Sequence, residues 1–495
     1  MFNTKKLGTR LKLNKETKYL ALLLLFMGAL RFVNLGYSEY IPDETYLLMP
    51  LKISGNFYGW DRFLSERKGP IQFLVTYLVY LVNGSVFPEL TFRVPYALFN
   101  SFSILFFYLA VKNITKSDKV AFLSSFIFGV NGFTVAFGRI VQYQSLNLFF
   151  STVCMYFYSD ILKGDSGNFV RNVALGNVFY LLSLLSHWDA VFIMPFLFIC
   201  CVTQLRGTYN KRSYKILAFL LPVVMSILIV SVYFAQYSKN ADTMDYFRSR
   251  VGLSLNVVEK IYEYDFRYTL YNPFLFRLVM VSAIVLSMVS FKKHKYYLLW
   301  LVAVLLFFVI FIKSSGTHVY NFLYPISILV GSSFVEIQNR LRGTCKYIGY
   351  VSGAVICCFL YYQTYMIIVD NRLEYPFVSE KILFLETKQY NHKSLTNNII
   401  GFPLRRNWME INSYINDQNK KLGRDLTYIT NEHRSIADMY MDIEKKESKA
   451  GYFIIGIKNP LSFVQDYKFS QIRGKEHLTT VRDRGKTLGR IYLVE

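Results

Sequence analysis

Between Tyr19 and Val369 this 495-residue chain passes through one long apolar run after another. Most of them approach the ~20 residues that a membrane-spanning helix needs. Lipid offers no partners to backbone N–H and C=O groups, so runs of this length and number are used as helices. Hydrophobic residues make up 53% of the chain. The chain reads as an all-α polytopic membrane bundle. The first run, Tyr19 to Leu35, contains Arg31 and no small-residue cleavage site. It therefore reads as an anchor and not as a removed signal peptide.

Charge then sets the topology. Lys5, Lys6, Arg10, Lys12, Lys15 and Lys18 hold residues 1–18 in the cytoplasm. The run Pro70 to Val82 is shorter than the ~17 residues of an untilted span, and a crossing there would put Lys112, Lys116 and Lys119 outside. If it lies along the outer interface, the later basic loops, with Lys163, Arg171, Arg206, Lys211, Lys292 and Arg340, fall inside. That reading gives eleven spans, near 19–35, 93–111, 119–137, 144–162, 171–187, 190–205, 214–235, 273–291, 296–312, 318–336 and 347–369. The membrane region is 19–370, with outer loops 36–92 and 236–272, and the C-terminus lies outside.

From Asp370 the composition turns polar. Strand candidates Leu426–Thr430, Tyr452–Ile457 and Arg490–Val494 alternate with helix candidates Arg405–Asp417 and Arg434–Met441. Residues 371–495 are expected to form an extracytoplasmic α/β domain. All six cysteines precede it, so it has no disulfide available where oxidation would occur. The net charge of +23 is accounted for by the inner loops and anionic lipid. There is no nucleic-acid module, P-loop, GxGxxG or zinc-like Cys/His spacing.

On this topology the unusual polar residues gather at the outer face. Asp43 and Glu44 follow the first span, and carboxylates at a bilayer surface are costly unless solvated, paired or used. Pro42-Asp43-Glu44 also suits a helix start. Other charged, amide and aromatic residues share that face: Tyr46, Lys68, Arg93, Arg139, Gln142, Tyr143, Gln144, His187, Asp189 and His318. The segment Tyr237 to Asn272 has the composition of a lid. Singly, each basic residue fits interface snorkelling. Together with Asp43 they fit a site that holds a phosphate and activates a hydroxyl.

The order of motifs resembles a known family. Leu30-Arg31-Phe32, Pro42-Asp43-Glu44, Arg67-Lys68-Gly69-Pro70 and Phe92-Arg93-Val94-Pro95 are followed by Gly138-Arg139, Tyr143-Gln144-Ser145 and His318 before Pro325. This looks like the GT-C membrane glycosyltransferases of the protein O-mannosyltransferase and aminoarabinose transferase type, over residues 19 to 336. The resemblance implies sugar transfer, with inversion, from a polyprenyl-phosphate carrier to an acceptor hydroxyl on protein, lipid or glycan. It takes place at the outer face of the plasma (inner) membrane. Asp43 is then the general base, with Glu44 orienting it or the acceptor. Lys68, Arg139, His318 and Arg93 match basic positions that serve the donor phosphate, Arg93 with a structural role as the other reading. Arg139 is expected nearest the cavity. Tyr46, Tyr143, Gln144 and His187 are candidate substrate contacts. The resemblance names no certain cofactor and leaves a divalent metal open; nucleic acid is not a partner.

The chain departs from the family at Gly69, where a second proline is common. It departs again at Gln144, where many members carry an aspartate, and at His187, where relatives often have lysine or arginine. Two other classes compete with the enzyme. A transporter or flippase of lipid-linked precursors would place its polar site near the midplane and show repeats; none is evident. A scaffold would not need the Asp43-Glu44 pair.

Overall fold

The computed structural model describes residues 15–55, 59–66, 68–163, 168–206, 212–253, 256–391, 395, 399–448, 451–461 and 474–494. Lys5, Lys6, Arg10, Lys12, Arg67 and Lys211 lie outside them. Each of the eleven expected spans falls on helix. Among the described residues, six helical segments are long and apolar enough to cross a membrane: Glu89–Thr115, Phe169–Ser186, Trp188–Arg206, Ser213–Tyr237, Phe291–Phe311 and Gly343–Val369. The segment Pro70–Asn83 is a helix of only 14 residues. The chain is a multi-pass membrane protein. The third expected span breaks at Asn131, whose side chain accepts from Phe133 N and starts the short helix Gly132–Phe137.

Buried polar side chains tie the helices together where apolar packing alone is indifferent in lipid. Arg31, fully buried in the first helix Lys15–Phe32, donates to Asn100 Oδ1 (2.7 Å) and to the carbonyls of Met27 and Gly129 (both 3.0 Å). One residue thus joins the first helix to Glu89–Thr115 and Asp118–Val130.

The C-terminal region carries a small hairpin, β1 (Lys381–Ile382) and β2 (Leu385–Glu386), and a four-stranded sheet. The sheet consists of β3 (Thr427–Thr430), β4 (Tyr452–Ile457), β5 (Thr479–Asp483) and β6 (Lys486–Val494), in spatial order β3-β4-β6-β5. β3 and β4 are parallel; the other neighbours are antiparallel. The helix Trp408–Leu422 buries Trp408, Ile411 and Ile415, the face its periodicity predicts. Glu39, in the loop after the first helix, fastens this region to the helical bundle. Its carboxyl accepts the backbone N–H groups of Arg406 (2.6 Å) and Trp408 (2.8 Å).

Candidate active site

The helix Pro42–Ser54 begins as its sequence requires, with proline at its first position and both acids in its first turn. The two carboxylates then separate. Glu44 turns inward and is fully buried. Its oxygens accept Nε and Nη2 of Arg93 (2.9 and 2.8 Å) and the backbone N–H groups of Ile41 (3.0 Å) and Val141 (2.8 Å). Four donors on two oxygens make it a bracket between the first loop, the second long helix and the turn at Val141. Asp43 turns outward with its side chain 33% exposed. Gln142 Nε2 donates to its Oδ2 (2.7 Å), and Lys68 Nζ lies 3.4 Å from its Oδ1 while donating to its backbone carbonyl (2.6 Å). A lysine and an amide thus fix the position of the carboxylate.

Asp43 lines a cavity of about 350 Å³ together with Tyr46, Gln142, Tyr143, Arg250 and His318. Ile400, His433 and Ser435 of the C-terminal region close its other side. The Tyr46 hydroxyl donates to Glu66. A second cavity of about 240 Å³ shares Tyr246, Arg250 and His318 with the first, but its walls are apolar: Trp188, Phe192, Phe247, Phe307 and Phe308. Polar and apolar chambers therefore meet at Arg250 and His318. Arg250 ends the helix Ala241–Arg250 and is steadied by Ser314 Oγ (2.8 Å) and the Tyr246 ring (5.3 Å). It forms no ion pair among the described residues.

Beside this junction lies a His/Asp cluster. His318 Nδ1 is 2.8 Å and His187 Nδ1 3.1 Å from the Asp189 carboxylate. Tyr143, His187 and His318 form a stack, with centroid spacings of 3.9 and 5.1 Å. His187 Nδ1 also accepts the backbone N–H of Asp189 (3.2 Å). Ligand atoms of His187, Asp189 and His318 all lie within 4.8 Å of one another. Two imidazoles and one carboxylate are a donor set suited to a zinc-like cation.

Asp43, Tyr46, Tyr143 and His318 are thus brought together, and His187 lines the adjoining chamber. Lys68 adjoins Asp43 without lining the cavity, and Glu44, Arg93, Arg139 and Gln144 lie outside its lining. Arg139, expected nearest the cavity, does not line it. Its guanidinium donates to the carbonyls of Leu30, Arg31, Val33 and Asn34 (2.8 to 3.2 Å) and caps the C-terminus of the first helix. Burial lowers its pKa to about 9, as expected for a cation without a counter-ion. Arg93 is consumed by Glu44, and Lys68 by Asp43. Gln144 is fully buried, and neither of its amide atoms has a hydrogen-bond partner. Arg250 was not singled out in the sequence, and Asp189 and Gln142 were grouped at the outer face without an assigned role. The signal for Arg250 was its place in the lid-like segment; Asp189 and Gln142 stood among the polar turn residues.

No family model matches the chain, and no curated protein matches it. Solved structures do. ArnT from Cupriavidus metallidurans in the apo state superposes with a TM-score of 0.54 at 12% identity, over 97% of this chain and 98% of that one. The same protein bound to undecaprenyl phosphate gives 0.52 at 12% identity, over 96% and 97%. A third likeness is partial: the S. cerevisiae protein O-mannosyltransferase Pmt1-Pmt2 complex bound to the sugar donor, 17% identical, TM-score 0.38, over 46% of this chain and 34% of that chain. The match to ArnT runs from end to end, and the fold is the GT-C fold expected from the order of motifs.

Proposed function

We propose that this chain, built on the GT-C fold, moves a sugar from a polyprenyl-phosphate carrier to an acceptor hydroxyl, with Asp43 as the general base. The observation that carries the reading is the paired cavity. A held, part-exposed carboxylate sits in a polar chamber, and a cation with no ion pair among the described residues sits where that chamber meets an apolar one. A lipid-linked phosphate has the same two-part chemistry, an anionic head on an apolar chain. The ArnT structure of the same fold, which binds undecaprenyl phosphate, supports the assignment of donor class.

The residues divide the reaction between them. Asp43 Oδ takes the proton of the acceptor hydroxyl as its oxygen attacks the anomeric carbon. The bond from that carbon to the phosphate oxygen breaks, and the lipid phosphate leaves with the electron pair. Attack from the side opposite the leaving group inverts the configuration. Arg250 and His318 compensate the growing charge on the phosphate. A divalent ion held by His187, Asp189 and His318 would add positive charge on that same side. Lys68 and Gln142 position Asp43. On the charge pattern of the loops, the chamber faces the extracytoplasmic side of the inner membrane.

The test is Asp43→Asn in purified enzyme supplied with a polyprenyl-phosphate sugar pool from its own membranes. The amide cannot accept a proton, and transfer falls by about 10²–10⁴-fold. Folding, followed by thermal unfolding in detergent, stays close to wild type because Glu44 holds the loop. Wild-type turnover in the folded variant removes Asp43 from the role of base.

A further inference from the structure

A second polar cavity, of about 330 Å³, lies apart from the first, between Tyr37 in the loop after the first helix and the C-terminal sheet. Its lining carries six cationic residues, Arg372, Arg405, Arg406, Lys458, Arg484 and Lys486, against two carboxylates, Glu374 and Asp483. Six positive less two negative, with Arg372 also paired to Asp370 just outside the lining (2.6 Å), leaves about three uncompensated charges. Such a concentration is self-repelling and persists in a folded protein only where something offsets it.

Arg406 gives the cavity its purpose. It is 4% exposed, and only Nη1 is bonded, to the Arg405 carbonyl (2.8 Å). Its Nε and Nη2 are buried with no hydrogen-bond partner. A buried guanidinium edge left unpaired is costly and rare. Burial lowers its pKa, with Glu432, Glu39 and Glu374 opposing at longer range. The two open donors are the fork that matches a phosphate or carboxylate edge.

Arg484 points the same way. It occupies the β5–β6 turn at φ +48°, next to Gly485 at +81°. Such a two-residue turn favours Asn-Gly, and an arginine there strains the backbone. The strain places its guanidinium 5.3 Å from the Tyr37 ring, across which Arg405 sits at 5.8 Å. Asn371 Oδ1 accepts from Arg484 Nη1 (2.7 Å) and holds it. A broken local rule that delivers a charge to a cavity is characteristic of a binding site.

We propose that this cavity is a second ligand site, which binds a phosphate group through Arg406, Arg405 and Arg484. About three spare charges exceed what a single carboxylate neutralises, so a phosphate ester is the better match. It is carried either by a lipid headgroup or by a soluble or polymeric phosphoester. The site is anchored to the first chamber: Glu39, which holds Arg406 N, is four residues before Asp43, and its own carbonyl accepts Arg93 Nη2 (2.9 Å).

The test is direct binding of inorganic phosphate to the full-length protein in neutral detergent, at constant ionic strength with chloride as the balancing anion. It needs no knowledge of the transfer reaction. Wild-type protein gains thermal stability as phosphate rises, following mass action. Arg406→Met and Arg484→Asn each weaken phosphate binding by about tenfold, the value of one charge-assisted contact. Asn suits the left-handed turn, so Arg484→Asn folds at least as well as wild type and remains informative if Arg406→Met does not fold. Absence of a phosphate-specific effect in wild type, or wild-type Kd in both variants, overturns the proposal. Repeating the titration in nanodiscs assigns the source. If phosphatidylglycerol discs abolish the shift seen in phosphatidylcholine discs, the site holds a headgroup; if the shift persists in both, it holds a soluble or polymeric phosphoester.

Discussion

At the scale of single residues, adjacent side chains of like chemistry have opposite uses. Asp43 and Glu44 are neighbours in sequence and in charge, but the ~100° step between consecutive helical residues sends Glu44 onto Arg93 and Asp43 into the cavity. The sequence announces both and distinguishes neither, because a helix start accounts for either acid. The cations show the reverse. Arg139 and Arg250 are both arginines next to aromatic segments; Arg139 spends its N–H groups on four helix-end carbonyls, whereas Arg250 faces the chamber junction with no ion pair among the described residues. The distinction is set by which carbonyls lie within reach, and that is a tertiary fact. Arg250→Gln should therefore lower kcat by about 10²-fold, since removing one donor to a developing oxyanion costs that much. Arg248→Gln, on the exposed side of the same helix and paired with Asp245 at 3.5 Å, should leave kcat unchanged. Equal losses in both variants would sink the assignment of Arg250 to the leaving phosphate.

At the scale of elements, the site is built from ends. The start of Pro42–Ser54, the end of the first helix, the turn at 138–142 and the end of Ala241–Arg250 all converge on it. The Glu44–Arg93 pair locks three of these segments, and a buried pair is costly to break from one side. Glu44→Gln should destabilise the protein by about 3–5 kcal/mol, because Arg93 is left charged and under-compensated. The double variant Glu44→Gln, Arg93→Met should recover a large part of that loss, measured as the unfolding midpoint in detergent. A double variant as unstable as the sum of the singles contradicts a pairwise lock. The same scale explains Gly69. A Cβ there would lie 2.2 Å from the Leu185 carbonyl oxygen and 2.3 Å from that of Ser186. In this chain the end of Phe169–Ser186 passes against the backbone at 69, which is why the second proline of the resembling motif is absent. Nothing in the sequence near Gly69 shows that neighbour.

At the scale of the whole molecule, long apolar runs were legible because lipid tolerates few alternatives, and all eleven fall on helix. In the C-terminal region β4, with its run of apolar residues, was equally plain. β5, Thr-Thr-Val-Arg-Asp, was missed because only Val481 among its residues is buried. Which side each loop faces follows from charge alone and calls for a direct test. With native cysteines replaced, an impermeant thiol reagent applied to intact spheroplasts should label Ser448→Cys and spare Ser117→Cys; labelling at 117 refutes the eleven-span order. The join between the two regions makes a separate prediction. Burial raises Glu39 to about 7, against the pull of the Trp408 and Arg406 N–H groups that lower it; Arg406 lowers it further and Glu89 raises it. The folded protein keeps a proton that the unfolded chain releases near 4.5. The resulting stabilisation is full below pH 4.5 and disappears as pH rises through 7, a span of about 3 kcal/mol at ~1.4 kcal/mol per unit. Amide exchange in the first turn of Trp408–Leu422, corrected for its intrinsic pH dependence, should therefore be slower at pH 5.5 than at pH 8. In Glu39→Gln, which has no proton to lose, protection should be weaker but lose this dependence. An undiminished pH slope in that variant would assign the effect to some group other than the Glu39 clasp.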